Sequence, residues 1–217
     1  MIDFNKLIDT HLARATSKKN IGRYYPSEIG TCLRKTWYSY KDPQPTDTQL
    51  IRIFEAGNIL HEFIEEVLES EKNPEVELLG TEIPIKIEYK DFTISGRIDN
   101  LILVKIDNKE VLIEVKSCKY LPNEFRKEHE SQLQFYMHSL GVHQGILLYI
   151  KKDDLETNEF EIQYNTEKAE ALLKRFEALD KALKENKIPE AEARHDEDKI
   201  WLCERCPWKE ECWKRED

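Results

Sequence analysis

Four cysteines mark the two ends of this chain. Cys203, Cys206 and Cys212 form a C-x2-C-x5-C tail, and Cys32 lies about 170 residues upstream. Thiolates at such spacing are soft ligands for an iron–sulfur cluster or for zinc, and spacing alone does not choose between them. A centre using all four would tie the N-terminal segment to the tail, so the residues between would fold as a closed ring. Met1-Ile2-Asp3 lacks the charged and apolar regions of a secretory leader. The expectation is a cytoplasmic chain whose five cysteines serve metal or redox chemistry rather than disulfides.

With 217 residues and 40% hydrophobic content, the chain can build one good core. The longest apolar run, near 145–150, is a strand's worth, so no membrane span is expected. The net charge of −10 is unfavourable for a nucleic-acid binder, but it is unevenly distributed. Residues 1–52 carry nine Lys/Arg against five Asp/Glu. Arg14, Lys18, Lys19, Arg23, Arg34 and Lys35 in that segment could face phosphates or simply be a solvated surface.

Hydrophobic periodicity predicts helices over 3–15, from Pro26 through Cys32 to Tyr40 with Ser27 as cap, and over 48–70, 123–140 and 166–185. In 48–70 the expected buried stripe is Ile51, Phe54, Ile59, Ile64, Val67 and Leu68. Strand patterns fill 76–116, 144–151 and 159–164. The fold class is therefore α/β: a central sheet flanked by helices, with helical arms at both ends that carry the cysteines.

The segment 98–116 reads as a hairpin turning at Asp107-Asn108-Lys109. Ile98, Ile102, Val104 and Ile106 share one face of its first strand; Val111, Ile113 and Val115 share one face of its second. If both sets face one core, Asp99, Glu114 and Lys116 converge on the opposite side. Two carboxylates are a hard site for Mg²⁺ or Mn²⁺, and a nearby lysine stabilises charge on a phosphate under attack. The same residues would also suit a solvated strand face. His61 lies on the 48–70 helix, and Gln132 and Tyr136 share a helical face at i, i+4.

In this order the residues resemble the RecB-like branch of the PD-(D/E)XK nucleases and, more narrowly, the CRISPR-associated Cas-four exonucleases. The similarity runs from Ser27-Glu28-Ile29-Gly30-Thr31-Cys32 through Tyr38 and the G-x3-H of Gly57–His61. It continues through Gly96-Arg97-Ile98-Asp99, Glu114-Val115-Lys116, the Q-x3-Y of Gln132 and Tyr136, and the cysteine tail. Ile98 stands where the signature has proline. The resemblance implies a single nuclease domain over 1–217 with a restriction-endonuclease-like PD-(D/E)XK core, a mixed sheet flanked by helices at about 48–165. Residues 1–47 and 186–217 would together form a helical iron–sulfur lobe.

The resemblance also implies roles. His61, Asp99, Glu114 and the Val115 carbonyl would bind Mn²⁺ or Mg²⁺; Lys116 would be catalytic; Gln132 and Tyr136 would position it or the DNA. Cys32, Cys203, Cys206 and Cys212 would hold a 4Fe–4S cluster, with Cys118 outside the set. The implied activity is exonucleolytic cleavage of single-stranded DNA, often 5′ to 3′, trimming spacer precursors for the CRISPR integrase complex. Candidate DNA contacts are Arg34, Lys35, Tyr24, Tyr25 and Trp37, with Trp37 and both tyrosines equally suited to a core. A stand-alone repair or mobile-element nuclease keeps the same chemistry; a non-catalytic DNA-end-binding module would make the acidic trio a remnant. The absence of G-x4-G-K-S/T rules out a P-loop motor in this sequence.

Overall fold

The structure, a computed structural model, describes residues 1–15 and 17–215. Helix starts follow from short polar side chains that accept otherwise unpaired backbone N–H groups. Asp3 caps α1 (Phe4–Leu12), Asp47 caps α4 (Thr48–Glu69) and Asn165 caps α6 (Thr166–Lys184). Helix α5 (Lys127–Leu140) ends at Gly141 in the left-handed conformation, which releases the chain into the next strand.

A mixed six-stranded sheet forms the centre. Its strands are β1 (Arg23–Tyr24), β2 (Val76–Tyr89), β3 (Phe92–Val104), β4 (Lys109–Cys118), β5 (Gln144–Lys151) and β6 (Thr157–Gln163). β3 is the hub: β2 runs antiparallel along one edge, while its other edge is shared by β1 at Thr93 and Ile94 and by β4 at 100–104. Between those two partners, residues 95–99 of that edge have no strand beside them. β4 and β5 are parallel, and β5 and β6 antiparallel.

Alternation along β4 sends its side chains to two cores. Val111, Ile113 and Val115 pack with Ile102 and with Leu60 and Ile64 of α4. Leu112 joins Leu133, Phe135, Met137, Phe176 and Leu179 from α5 and α6 on the other face. The register Asn100↔Ile113 and Ile102↔Val111 is the one the β-branched pattern requires.

Several expectations are corrected. Ile106 is not on the strand but in a four-residue turn, 105–108, and is 93% exposed. In α4 only part of the expected stripe is buried: Phe54, Ile59 and Val67 face out, while Leu60 and Ile64 face in. The expected 26–40 helix is two helices, α2 (Pro26–Ile29) and α3 (Leu33–Lys41). Ser27 caps neither: α2 begins with Pro26, which lacks the N–H a cap would serve, and Cys32 occupies the N-cap position of α3. The break comes where Gly30 meets α5, since a Cβ there would stand 2.8 Å from the Glu128 Cα. The helix expected from 123 starts at Lys127, because Pro122 and Phe125 anchor the preceding loop against the sheet.

The two ends of the chain meet beside α6. Trp208 stacks on Tyr38 at 6.0 Å and donates its indole N–H to the Asp42 carbonyl at 2.8 Å. Arg175 bonds the carbonyls of Ile29 and Thr31 and pairs with Glu192, whose carboxylate also accepts the Leu33 N–H at 2.6 Å. The tail contributes α7 (Trp201–Glu204) and α8 (Lys209–Trp213).

Candidate active site

The β3–β4 ladder ends at Asn100↔Ile113, and one step further in register stand Asp99 and Glu114. There the strands splay, and the Asp99 carboxylate takes over the lost pairing: the Val115 N–H donates to its Oδ2 at 2.8 Å. On the same side, the Lys116 ammonium donates to Glu114 Oε1 at 2.5 Å and to Gln132 Oε1 at 3.2 Å. The Gln132 amide in turn donates to the Tyr136 hydroxyl at 3.2 Å. From the other face of the sheet, α4 brings His61 to the splay, with Nδ1 3.6 Å from Asp99 Oδ2. Gly57, one turn earlier, allows this approach, since a Cβ there would meet the Ser117 hydroxyl at 3.1 Å. His61, Asp99, Glu114, Lys116, Gln132 and Tyr136, scattered over 76 positions in sequence, are thus gathered by one gap in the sheet.

Burial dominates the electrostatics. It pushes the Asp99 carboxyl up to about 6 and the Glu114 carboxyl up to about 7, against the pull of Lys116. Burial draws Lys116 down, but Glu114 and Asp99 outweigh it and keep the ammonium above the ordinary lysine range. Burial and then Lys116 hold His61 below its usual value, so its imidazole is neutral, the form that binds metals.

Glu114 Oε2 is buried with no hydrogen-bond partner among the described residues, as are the amide oxygen and nitrogen of Asn100 and, elsewhere, the Tyr38 hydroxyl. A buried carboxylate oxygen left unpaired is costly, and a cation resolves that cost. As placed, no three His, Cys, Asp or Glu side chains among the described residues close to a metal-ligand set. The donor chemistry of His61, Asp99 and Glu114 nevertheless fits a hard divalent ion, two carboxylates and a neutral imidazole around one unsatisfied oxygen.

His129 was not among the residues read from the sequence. Its Nδ1 shares a 2.8 Å hydrogen bond with the Tyr149 hydroxyl, and Tyr149 is the cross-strand neighbour of Lys116. Burial, then Lys116 and Arg126, push this histidine down to about 3, so it stays neutral. Its place one helical turn before Gln132 was the available signal.

The four ligand-spaced cysteines line a single pocket, together with Arg34, Lys35, Tyr38, Trp208 and Trp213. All four are free thiols. Burial and the neighbouring thiols raise Cys203, and burial raises Cys206. Four thiols in one pocket suit a soft metal centre, and as placed no three of them close to a ligand set. Cys118 lies apart, donating to the Ile150 carbonyl at 3.5 Å.

The expected DNA contacts fare differently. Arg34 is buried, with Nε donating to the Pro189 carbonyl at 2.6 Å and Nη1 to Cys212 Sγ at 3.6 Å. Tyr24 is fully buried against Asp180. Neither forms an exposed surface for a strand, because both are used to join the chain ends to the core. Lys35 is half-buried beside the cysteine pocket. Trp37 is core, its indole bonded to the Ala182 carbonyl. Among the described residues, no helix is long and apolar enough to cross a membrane.

The sequence profile of the PD-(D/E)XK nuclease superfamily matches residues 26–213, a span that includes every residue of the gap and of the cysteine pocket. The chain is 30% identical over 159 residues to the CRISPR-associated exonuclease Cas4 of Saccharolobus solfataricus, covering 72% of this chain and 75% of that one. The crystal structure of SSO0001 shares the fold, with a TM-score of 0.61 at 23% identity over 96% of this chain and 92% of that one.

Proposed function

Since the chain belongs to the PD-(D/E)XK nuclease superfamily, and within it to the family of the CRISPR-associated exonuclease Cas4, we propose that this DNA nuclease is a metal-dependent exonuclease. It digests single-stranded DNA from the 5′ end and trims spacer precursors for the CRISPR integrase complex. The observation that carries the chemical part is the gap between β3 and β4, where buried Glu114 and Asp99 stand beside Lys116 with one carboxylate oxygen unsatisfied.

His61, Asp99, Glu114 and the Val115 carbonyl hold Mn²⁺ or Mg²⁺. Such an ion supplies a Lewis-acid contact to phosphate and a water acidic enough to act as nucleophile. The protein does the rest. Lys116, fixed by Glu114 and Gln132, presents its ammonium where negative charge grows on the phosphate oxygens. Tyr136 fixes Gln132 from behind. Asp99 keeps the β3–β4 gap at constant width by holding the Val115 N–H. No side chain is needed as a covalent nucleophile. The four pocket cysteines hold a 4Fe–4S cluster that staples the chain ends, a role supported by their common pocket and all-thiol donor set.

The raised carboxyls give a pH prediction. Metal binding requires both in the charged form, and they carry protons up to about 6 and 7. Manganese affinity, measured by titration calorimetry, therefore falls about tenfold or more from pH 8 to pH 6, with proton release on binding. A pH-independent affinity would place the ion elsewhere.

Activity is tested with single-stranded DNA labelled separately at each end, in Mn²⁺ or Mg²⁺. Short products appearing first from the 5′ label establish 5′ to 3′ digestion; the reverse order corrects the polarity. No cleavage of either substrate by protein shown to bind metal refutes the exonuclease reading.

A further inference from the structure

Tyr24 and Arg34 are buried, so a strand entering the site needs another surface. Past Lys116, β4 ends at Cys118, and the chain turns through 119–126 into α5. Residues 116–127 hold four Lys/Arg against a single Glu124, in a chain of net charge −10; Lys116 is paired with Glu114, Arg126 with Glu128 and Lys127 with Asp198, which leaves Lys119 for a ligand. Lys152, just after β5, joins them: its N–H donates to the Cys118 carbonyl at 3.0 Å and its ammonium to the Ile53 carbonyl at 2.9 Å. That ammonium has no carboxylate partner among the described residues. Lys119 lies over the ring of Tyr120, 5.1 Å from its centre.

Tyr120 is 74% exposed and four residues beyond Lys116, within about 14 Å along the chain. Phe54, 56% exposed, stands seven residues before His61 on the same face of α4. Two cations without a carboxylate partner among the described residues, Lys119 and Lys152, and the exposed rings of Tyr120 and Phe54 are what a single strand requires: charge for the backbone and flat faces for unstacked bases.

Resting on the single-strand reading above, we infer that the carboxyl ends of β4 and β5 are the strand-binding surface, where Tyr120 stacks an unpaired base and Lys119 and Lys152 hold phosphates. Tyr120 is then a specificity residue. A base already stacked in a duplex offers it no free face, so its ring favours single strands over double.

The test uses full-length protein in a Lys116→Ala background, so that DNA is bound without being cut. Fluorescence anisotropy follows labelled oligothymidylate and its duplex with oligodeoxyadenylate. Tyr120→Ala is expected to weaken the single strand about tenfold and the duplex less than twofold. Lys152→Gln is expected to weaken both and to lower the slope of log affinity against log salt by roughly 0.7 on the single strand. The exposed Tyr120 ring supports no core, so its removal leaves the fold intact. Tight binding by the parent with Tyr120→Ala unchanged, or equal losses on both probes, overturns this surface. A Lys116→Ala parent that binds neither probe, beside unsubstituted protein that cleaves DNA, overturns it too, while leaving the nuclease in place. A Lys116→Ala parent that does not bind single strands, beside unsubstituted protein that does not cleave them, overturns the single-strand reading and this surface with it.

Discussion

Lys116→Ala lowers single-turnover cleavage of single-stranded DNA by about a thousandfold or more, while manganese binding is kept. The size follows from the role: removing one preorganised donor to developing charge typically costs 10²–10³ in rate, and here the donor also carries a full charge in a buried setting. The retained metal follows from the geometry. Lys116 supplies positive charge to Glu114 at 2.5 Å, so deleting it leaves two buried carboxylates with one competitor fewer. Their affinity for a divalent ion rises or stays level. Glu114→Gln differs in the metal alone, with activity and metal lost together. Calorimetry on both variants beside the cleavage assay separates the roles. A Lys116→Ala enzyme that cuts at the parental rate would remove lysine from the chemistry.

On the proposed 4Fe–4S cluster, Cys206→Ala is expected to abolish the colour of protein purified without oxygen and to lower its iron content from about four per chain to nearly none, the count of one such cluster. Cys118→Ala, outside the pocket, leaves both unchanged. The melting temperature of the Cys206 variant drops as well. Closing a ring of about 170 residues is worth at most roughly 5 kcal/mol in the chain-entropy treatment. For a chain of this length that bound corresponds to about 10–20 °C. The expected drop is smaller, because the Tyr38–Trp208 stack and the Glu192–Leu33 and Arg34–Pro189 hydrogen bonds already hold the ends together. Colourless parental protein with one zinc per chain would replace the cluster with a zinc site.

The residues of the gap were legible in the sequence because strand alternation is a local rule. Once Val111, Ile113 and Val115 are committed to one core, Glu114 and Lys116 face the other way whatever the rest of the chain does. Gln132 and Tyr136 share a face for the equivalent reason in a helix. The same logic failed for α4. Its apolar residues exceed what the sheet beneath it covers, so Phe54 and Ile59 remain outside while Leu60 and Ile64 do the packing. Hydrophobic spacing gives the direction of a face but not the extent of its partner.

Two of the expected DNA contacts, Arg34 and Tyr24, are buried for another reason. Arg34 and Lys35 are basic in a basic segment, but charge counts do not say which cation is consumed in holding the fold. Arg34 is consumed at Pro189 and Cys212, far along the chain. His129 is only weakly legible in the sequence, through its place one turn before Gln132, until Tyr149 is seen beside it.

By itself the sequence determined the α/β class, the face on which Asp99, Glu114 and Lys116 stand, and the set of thiols available at the two ends. These depend on periods of two and 3.6 residues and on side-chain chemistry, which are written residue by residue. Only the tertiary structure decided that β1 and β4 share one edge of β3 and leave 95–99 open, that Gly30 breaks a helix against Glu128, and that Cys32 meets the tail in one pocket. Each of these is a contact between segments distant in sequence, set by how far strands extend and how closely backbones approach, and no local pattern records that.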